Sequence, residues 1–217
     1  MRWTQQVWQS SDALYQQILD HPFIHRLMDG TLEIEKFAFY IQQDAMYLAE
    51  YRKALALIAS RLDRSEESMA FLGFAQDTVL VENALHESFI KAFAVGAPVS
   101  VSPMCMLYAQ YLLAQTSFKS VEVAVASVLP CFTVYKEVGD YILANQPKTH
   151  NRYQEWINTY AGEEFVKAVK LAEEIADRLA AHATPECRTE MEKAYKTAFK
   201  MEWMFWDSAW RLEQWPL

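Results

Sequence analysis

Apolar residues recur every three and four positions along nearly the whole chain, the spacing of α-helices with one face turned inward. Between residues 31 and 62 no Gly or Pro interrupts the stripe Phe37, Tyr40, Ile41, Tyr47, Leu48, Tyr51, Leu55 and Ile58. The pattern predicts helices over about 4–19, 31–62, 65–93, 103–115, 120–143, 163–181 and 184–210, with a short one through Trp156. Ser120 suits an N-cap with Glu122 in the first turn. Thr184 suits another, with Pro185 at the first helical position. Gly96-Ala97-Pro98, the polar run from Asn145 to His150, and Gly162 mark the breaks. Connectors are a few residues long, and no repeat or domain-sized shift in composition divides the chain. The expectation is one all-α domain over 1–217.

Composition narrows the function classes. With 217 residues, 52% hydrophobic, the chain can bury a substantial core. Its 7 Trp, 11 Tyr and 12 Phe argue against disorder. Only 5 Gly and 7 Pro argue against a turn-rich β-sandwich or barrel. A net charge of −8, with no Lys/Arg run, repels phosphate backbones, so nucleic acid is not expected as a partner. Met1-Arg2-Trp3-Thr4-Gln5-Gln6 lacks the apolar core of a signal peptide. No apolar run reaches the ~18 residues of a membrane span. Cys105, Cys131 and Cys187 are widely spaced, odd in number and form no C-x-x-C pair, unlike a disulfide framework or zinc site. A cytoplasmic, reducing compartment is expected.

Candidate chemistry centres on Leu129-Pro130-Cys131-Phe132-Thr133-Val134-Tyr135. A thiol at the start of a helical turn, facing inward beside a phenol, suits nucleophilic chemistry; the alternative is a small packed hydrophobe. Asp44 falls on the inward stripe with Tyr40, Ile41, Tyr47 and Leu48, and Glu202 on a face with Tyr195, Ala198, Phe205 and Ala209. Carboxylates are seldom buried without a partner, so each is a salt-bridge member, an edge residue or a ligand-facing group. Two of them alongside Cys131 favour a polar pocket inside a helical core. Tyr108 and Tyr160 suit rigid walls with a hydroxyl, as for a flat polar heterocycle. Glu82 and His86, one turn apart, suit either metal ligation in a bundle or a hydrogen bond orienting a core histidine. A di-iron site would need more carboxylates and a second facing histidine, and His21, His25, His150 and His182 are poorly placed to supply it. No metal is expected.

The chain resembles the TenA family, the thiaminase II or aminopyrimidine aminohydrolase group, over essentially its whole length. The resemblance rests on His21-Pro22-Phe23, Asp29-Gly30-Thr31-Leu32, Phe39-Tyr40-Ile41-Gln42-Gln43-Asp44 with Tyr47, and Glu82-x-x-x-His86. It continues through Leu129-Pro130-Cys131-x-x-x-Tyr135-x-Glu137-Val138-Gly139, Trp156-Ile157-x-Thr159-Tyr160-x-Gly162 and Glu202-x-x-Phe205-Trp206. It implies a heme-oxygenase-like helical bundle assembled as a homotetramer, and a small aminopyrimidine or thiamin as substrate. The implied reaction is hydrolysis at the methylene carbon on a 4-amino-2-methylpyrimidine, giving the hydroxymethylpyrimidine for thiamin salvage. It implies neither a metal nor an organic cofactor. By motif position Cys131 matches the nucleophile and Glu202 the acid/base group. Asp44 matches the carboxylate holding the ring's amino-nitrogen edge, and Tyr47, Tyr108, Tyr135, Tyr160 and Phe205 match pocket positions. Cys131 puts the chain with the family's cysteine-bearing branch. A metal-dependent oxygenase on the same bundle and a non-catalytic pyrimidine-binding protein are the competing readings.

Overall fold

The computed structural model describes residues 1–93 and 99–216, the side chains of 80–93 excepted. The helices are α1 Trp3–Gln9, α2 Asp12–Leu19, α3 Pro22–Asp29, α4 Ile34–Ala59, α5 Ser65–Phe93, α6 Pro103–Phe118, α7 Val121–Asn145, α8 Gln154–Tyr160, α9 Glu163–His182 and α10 Pro185–Arg211. No strand occurs among the described residues. The predicted caps form: Ser120 accepts from the Val123 N–H at 3.5 Å and Thr184 from the Cys187 N–H at 3.2 Å, with Pro185 at the start of α10.

Two differences from the sequence pattern have local causes. The helix expected over 4–19 breaks at Ser10-Ser11, where both hydroxyls donate to the Val7 carbonyl, at 3.0 and 2.8 Å. Such side-chain bonds compete with continuation of the helix. The unexpected α3 starts at Pro22, behind an unusual cap: His21 Nδ1 accepts from the Phe23 N–H at 3.1 Å. Burial lowers the pKa of His21, against the pull of Asp207, so the histidine serves as a neutral cap. Gly30 ends α3 at φ 76°, a backbone region open to glycine at little cost. Trp203 and Trp210, both on α10, are half-buried. Trp203 donates to the Gln17 carbonyl at 3.2 Å, and the Lys36 ammonium sits 3.2 Å from the Trp210 ring centroid.

The long helices set the frame. α4 packs along α5 and α6, α10 lies along α7, and α9 covers the other side of α7. Their shared interior holds Tyr40, Phe37, Trp156, Tyr195 and Trp206, all essentially inaccessible to solvent. α7, buried along much of its length, carries Cys131 through the middle of this frame. No helix among the described residues is long and apolar enough to cross a membrane.

Candidate active site

Pro130 lies inside α7, so Cys131 occupies the middle of a helix and not the start of a turn. A proline there has no N–H to give the carbonyl four residues back and loosens the local ladder. Two hydroxyls donate to carbonyls in this stretch: Tyr51 to Val128 at 2.9 Å and Thr133 to Leu129 at 3.3 Å. The cysteine is thus held in a helix whose geometry is braced from α4.

Cys131 opens onto a cavity of about 460 Å³, walled also by Asp44, Tyr51, Tyr135 and Tyr160. Of the residues expected at the site, Cys131, Asp44, Tyr135 and Tyr160 therefore meet at one void. Glu202, Tyr47, Tyr108 and Phe205 form a buried layer outside that lining. The Tyr47 ring lies 4.8 Å from Tyr108 and 5.6 Å from Phe205, and the Tyr108 hydroxyl donates to Glu202 Oε1 at 2.6 Å. The cavity also has walls the sequence pattern did not single out: Phe74, Asp77 and Thr78 of α5, Thr159 of α8, and Glu164 and Phe165 of α9. Nothing in their spacing sets them apart, because they belong to the site only through the packing of α5 and α9 around α7.

One glycine makes the arrangement possible. A Cβ at Gly139 would stand 3.0 Å from the Tyr160 carbonyl carbon and 3.1 Å from the Ala161 nitrogen. Lacking one, α7 lets the end of α8 come close, and Tyr160 reaches the cavity with its ring 4.9 Å from that of Tyr135.

The electrostatics follow from burial beside carboxylates. Desolvation pushes the Cys131 thiol well above its ordinary pKa, and Glu202 and then Asp44 push it further. The hydroxyls of Tyr47 and Tyr51 beside the sulfur oppose that rise. The Tyr47 hydroxyl is buried and aligned with no protein acceptor. Burial likewise pushes Glu202 up to about 8; the Tyr108 hydrogen bond opposes this and Asp44 adds to it. Near neutral pH burial thus favours the neutral thiol of Cys131 and the protonated carboxyl of Glu202.

The other cysteines differ. Cys105 donates to the Gln43 carbonyl at 3.3 Å, and burial pushes its thiol up to about 12. Cys187 lies 3.6 Å from the Ser120 hydroxyl, away from the cavity. The side chains of Glu82 and His86 lie outside the described residues. Among the described residues no group of three or more His, Cys, Asp and Glu is placed to hold a metal ion. His25, His150 and His182 are exposed.

The sequence profile of the TENA/THI-4/PQQC family matches residues 8–212. The chain is 36% identical over 208 residues to the thiamine biosynthesis multifunctional protein ThiED of Corynebacterium glutamicum, taking in 96% of this chain but only 27% of that protein. It is 31% identical over 199 residues to the aminopyrimidine aminohydrolase of Bacillus subtilis, covering 90% of this chain and 84% of that one. Among solved structures, the TenA homologue of P. horikoshii OT3 superposes with a TM-score of 0.82 at 27% identity, over 97% of this chain and 99% of the other. The all-α bundle is of the heme-oxygenase-like kind. The chain belongs to the TENA/THI-4/PQQC family.

Proposed function

We propose that the protein is an aminopyrimidine aminohydrolase (thiaminase II) that uses Cys131 as nucleophile. It hydrolyses the exocyclic methylene bond of 4-amino-5-aminomethyl-2-methylpyrimidine, and of thiamin, to the hydroxymethylpyrimidine used in thiamin salvage. The observation that carries this reading is the cavity that exposes Cys131 between Asp44 and two tyrosines, with Glu202 buried nearby. The name of the Bacillus subtilis relative supports the same chemistry.

In the reaction Asp44 accepts hydrogen bonds from the ring's amino edge. Glu202 protonates a ring nitrogen, which makes the ring a better electrophile, and the ionised carboxylate takes the thiol proton. Sulfur bonds to a ring carbon, and the aminomethyl nitrogen, in its ammonium form, leaves as ammonia (or the thiazolium as neutral thiazole), taking the bonding pair from the methylene carbon. Water adds at that carbon and its surplus proton passes to the departed amine or to solvent; as the carbon–sulfur bond breaks, Glu202 returns its proton to the sulfur and recovers one from the ring nitrogen, releasing thiol and product. Tyr135 and Tyr160 line the ring pocket, and Tyr47, Tyr108 and Phe205 form the buried layer that shapes it from behind.

The cavity favours neutral or cationic ligands. Among its described lining residues Asp44, Asp77 and Glu164 are carboxylates and none is Lys, Arg or His. Its volume falls within the range of about 300–1,000 Å³ typical of small-molecule sites. The chain works as a single domain over 1–217, in the cytoplasm, as a homotetramer. Exposed Met106, Leu107 and Phe118 on α6 and Met69 and Leu72 on α5 support association.

The test is Cys131→Ser. The variant is expected to keep its circular dichroism and thermal midpoint while turnover of the aminomethyl-pyrimidine falls by at least about 10³-fold, the scale of losing a nucleophile. Wild-type rates in the variant would show that another group attacks. Binding without turnover in the wild type would favour a non-catalytic role.

A further inference from the structure

Three buried side chains behind the cavity form a chain of hydrogen bonds with a fixed direction. Trp156 Nε1 donates to the Tyr40 hydroxyl at 3.3 Å, and the Tyr40 hydroxyl donates to that of Tyr135, also at 3.3 Å. An indole N–H can only donate, so the first link has one sense, and a phenol has a single proton to give. Tyr40 and Trp156 are fully buried, and Tyr135 is 4% exposed, on the cavity wall. The Tyr40 ring is packed against Phe23, Phe37 and Phe205, which fixes its plane and leaves the hydroxyl between Trp156 and Tyr135. The Tyr135 ring is clamped by Tyr160, Trp206 and Trp156, with centroids at 4.9, 5.2 and 6.2 Å. Only its O–H can turn.

From this we infer that Trp156 and Tyr40 are positioning residues that commit the Tyr135 hydroxyl to donate into the cavity, toward an acceptor atom of the bound pyrimidine. With its oxygen occupied by the Tyr40 proton, Tyr135 has its own proton left for the ligand side. The pair thereby sets which polarity the wall presents: a donor at Tyr135, where a freely rotating phenol could act either way. A preset donor costs no reorientation during the reaction. The inference rests on the proposed pyrimidine site.

A double-mutant cycle tests it, since coupling separates positioning from general damage to the fold. Tyr135→Phe is expected to lower kcat about 10²-fold, the scale for removing one preset donor. Tyr40→Phe and Trp156→Phe, which keep aromatic bulk, are each expected to lower kcat about tenfold with KM little changed. In the Tyr135→Phe background neither should lower it further. Independent, multiplying losses would overturn the relay and leave the hydrolase standing, as would unchanged kcat in Tyr40→Phe. The same cycle read through calorimetric binding of the hydroxymethylpyrimidine judges the relay without turnover. Coupling there, in a wild type that binds but does not hydrolyse, would support the relay and sink the hydrolase. A wild type that neither binds nor turns over pyrimidine overturns both.

Discussion

At Glu202 burial and chemistry pull in one direction. A carboxyl sealed beside Tyr108, with the Asp44 charge nearby, is costly to ionise, and its pKa rises from 4.5 to about 8. Between those values the folded protein keeps a proton that the unfolded chain releases. The stability this group contributes is therefore full below about 4.5 and is lost as pH rises through about 8. Glu202→Gln mimics the protonated form, keeps an acceptor for Tyr108 and has no such dependence. Its melting temperature is expected to gain on the wild type between about pH 5 and about pH 8 and to level off above that. A gap independent of pH would mean that Glu202 stays ionised in the folded protein. The same substitution removes the proton the reaction moves, so turnover should fall by about 10²–10⁴, the usual worth of a general acid–base.

At the scale of elements, the site depends on how closely α7 and α8 approach. Gly139→Ala must drive the new methyl against the Tyr160–Ala161 backbone, which has no flexible end to yield. The expected loss is about 1–3 kcal/mol in denaturant unfolding, the cost of overpacking. KM should rise as well, because Tyr160 moves with α8. Gly73 in α5 supplies the control: nothing lies within 4 Å of its would-be Cβ. Gly73→Ala should stabilise by about 0.5–1 kcal/mol through helix propensity, with KM unchanged. Equal effects at the two positions would show that propensity, not approach, governs Gly139. Such dependence on approach also explains how much could be read from the chain. Long helices were legible because apolar period and caps are local: the predicted 65–93 helix matches α5, and Ser120 and Thr184 cap as expected. Asp44, Cys131, Tyr135 and Tyr160 were legible as polar or reactive groups on inward faces. Periodicity says that a residue points inward, not whether it meets packing or a void. Tyr51 therefore read as part of the apolar stripe, and nothing in the pattern set Phe165, Asp77 and Glu164 apart. α3 escaped because its cap is a histidine, whose ring nitrogen substitutes for the usual hydroxyl or carboxylate.

For the whole molecule, charge and apolar exposure set conditions on the proposed tetramer. Each chain carries a net charge of −8, so bringing four together costs electrostatic energy that added salt screens. The attraction must then come from apolar surface. Leu107 on α6 is 49% exposed, Phe118 at its end 87%, and Met69 on α5 66%. Light scattering should give a mass about four times the 25.2 kDa chain, and raising the salt should strengthen the assembly rather than weaken it. Leu107→Glu adds charge to an already acidic protomer and removes apolar contact, so it should shift the population toward smaller species at low salt. Because Leu107 lies outside the cavity lining, turnover per chain should hold if the site is complete within one protomer. A 25.2 kDa species at every salt concentration would overturn the tetramer. Dissociation by Leu107→Glu with parallel loss of turnover would instead show that a neighbouring copy helps to hold the site in shape.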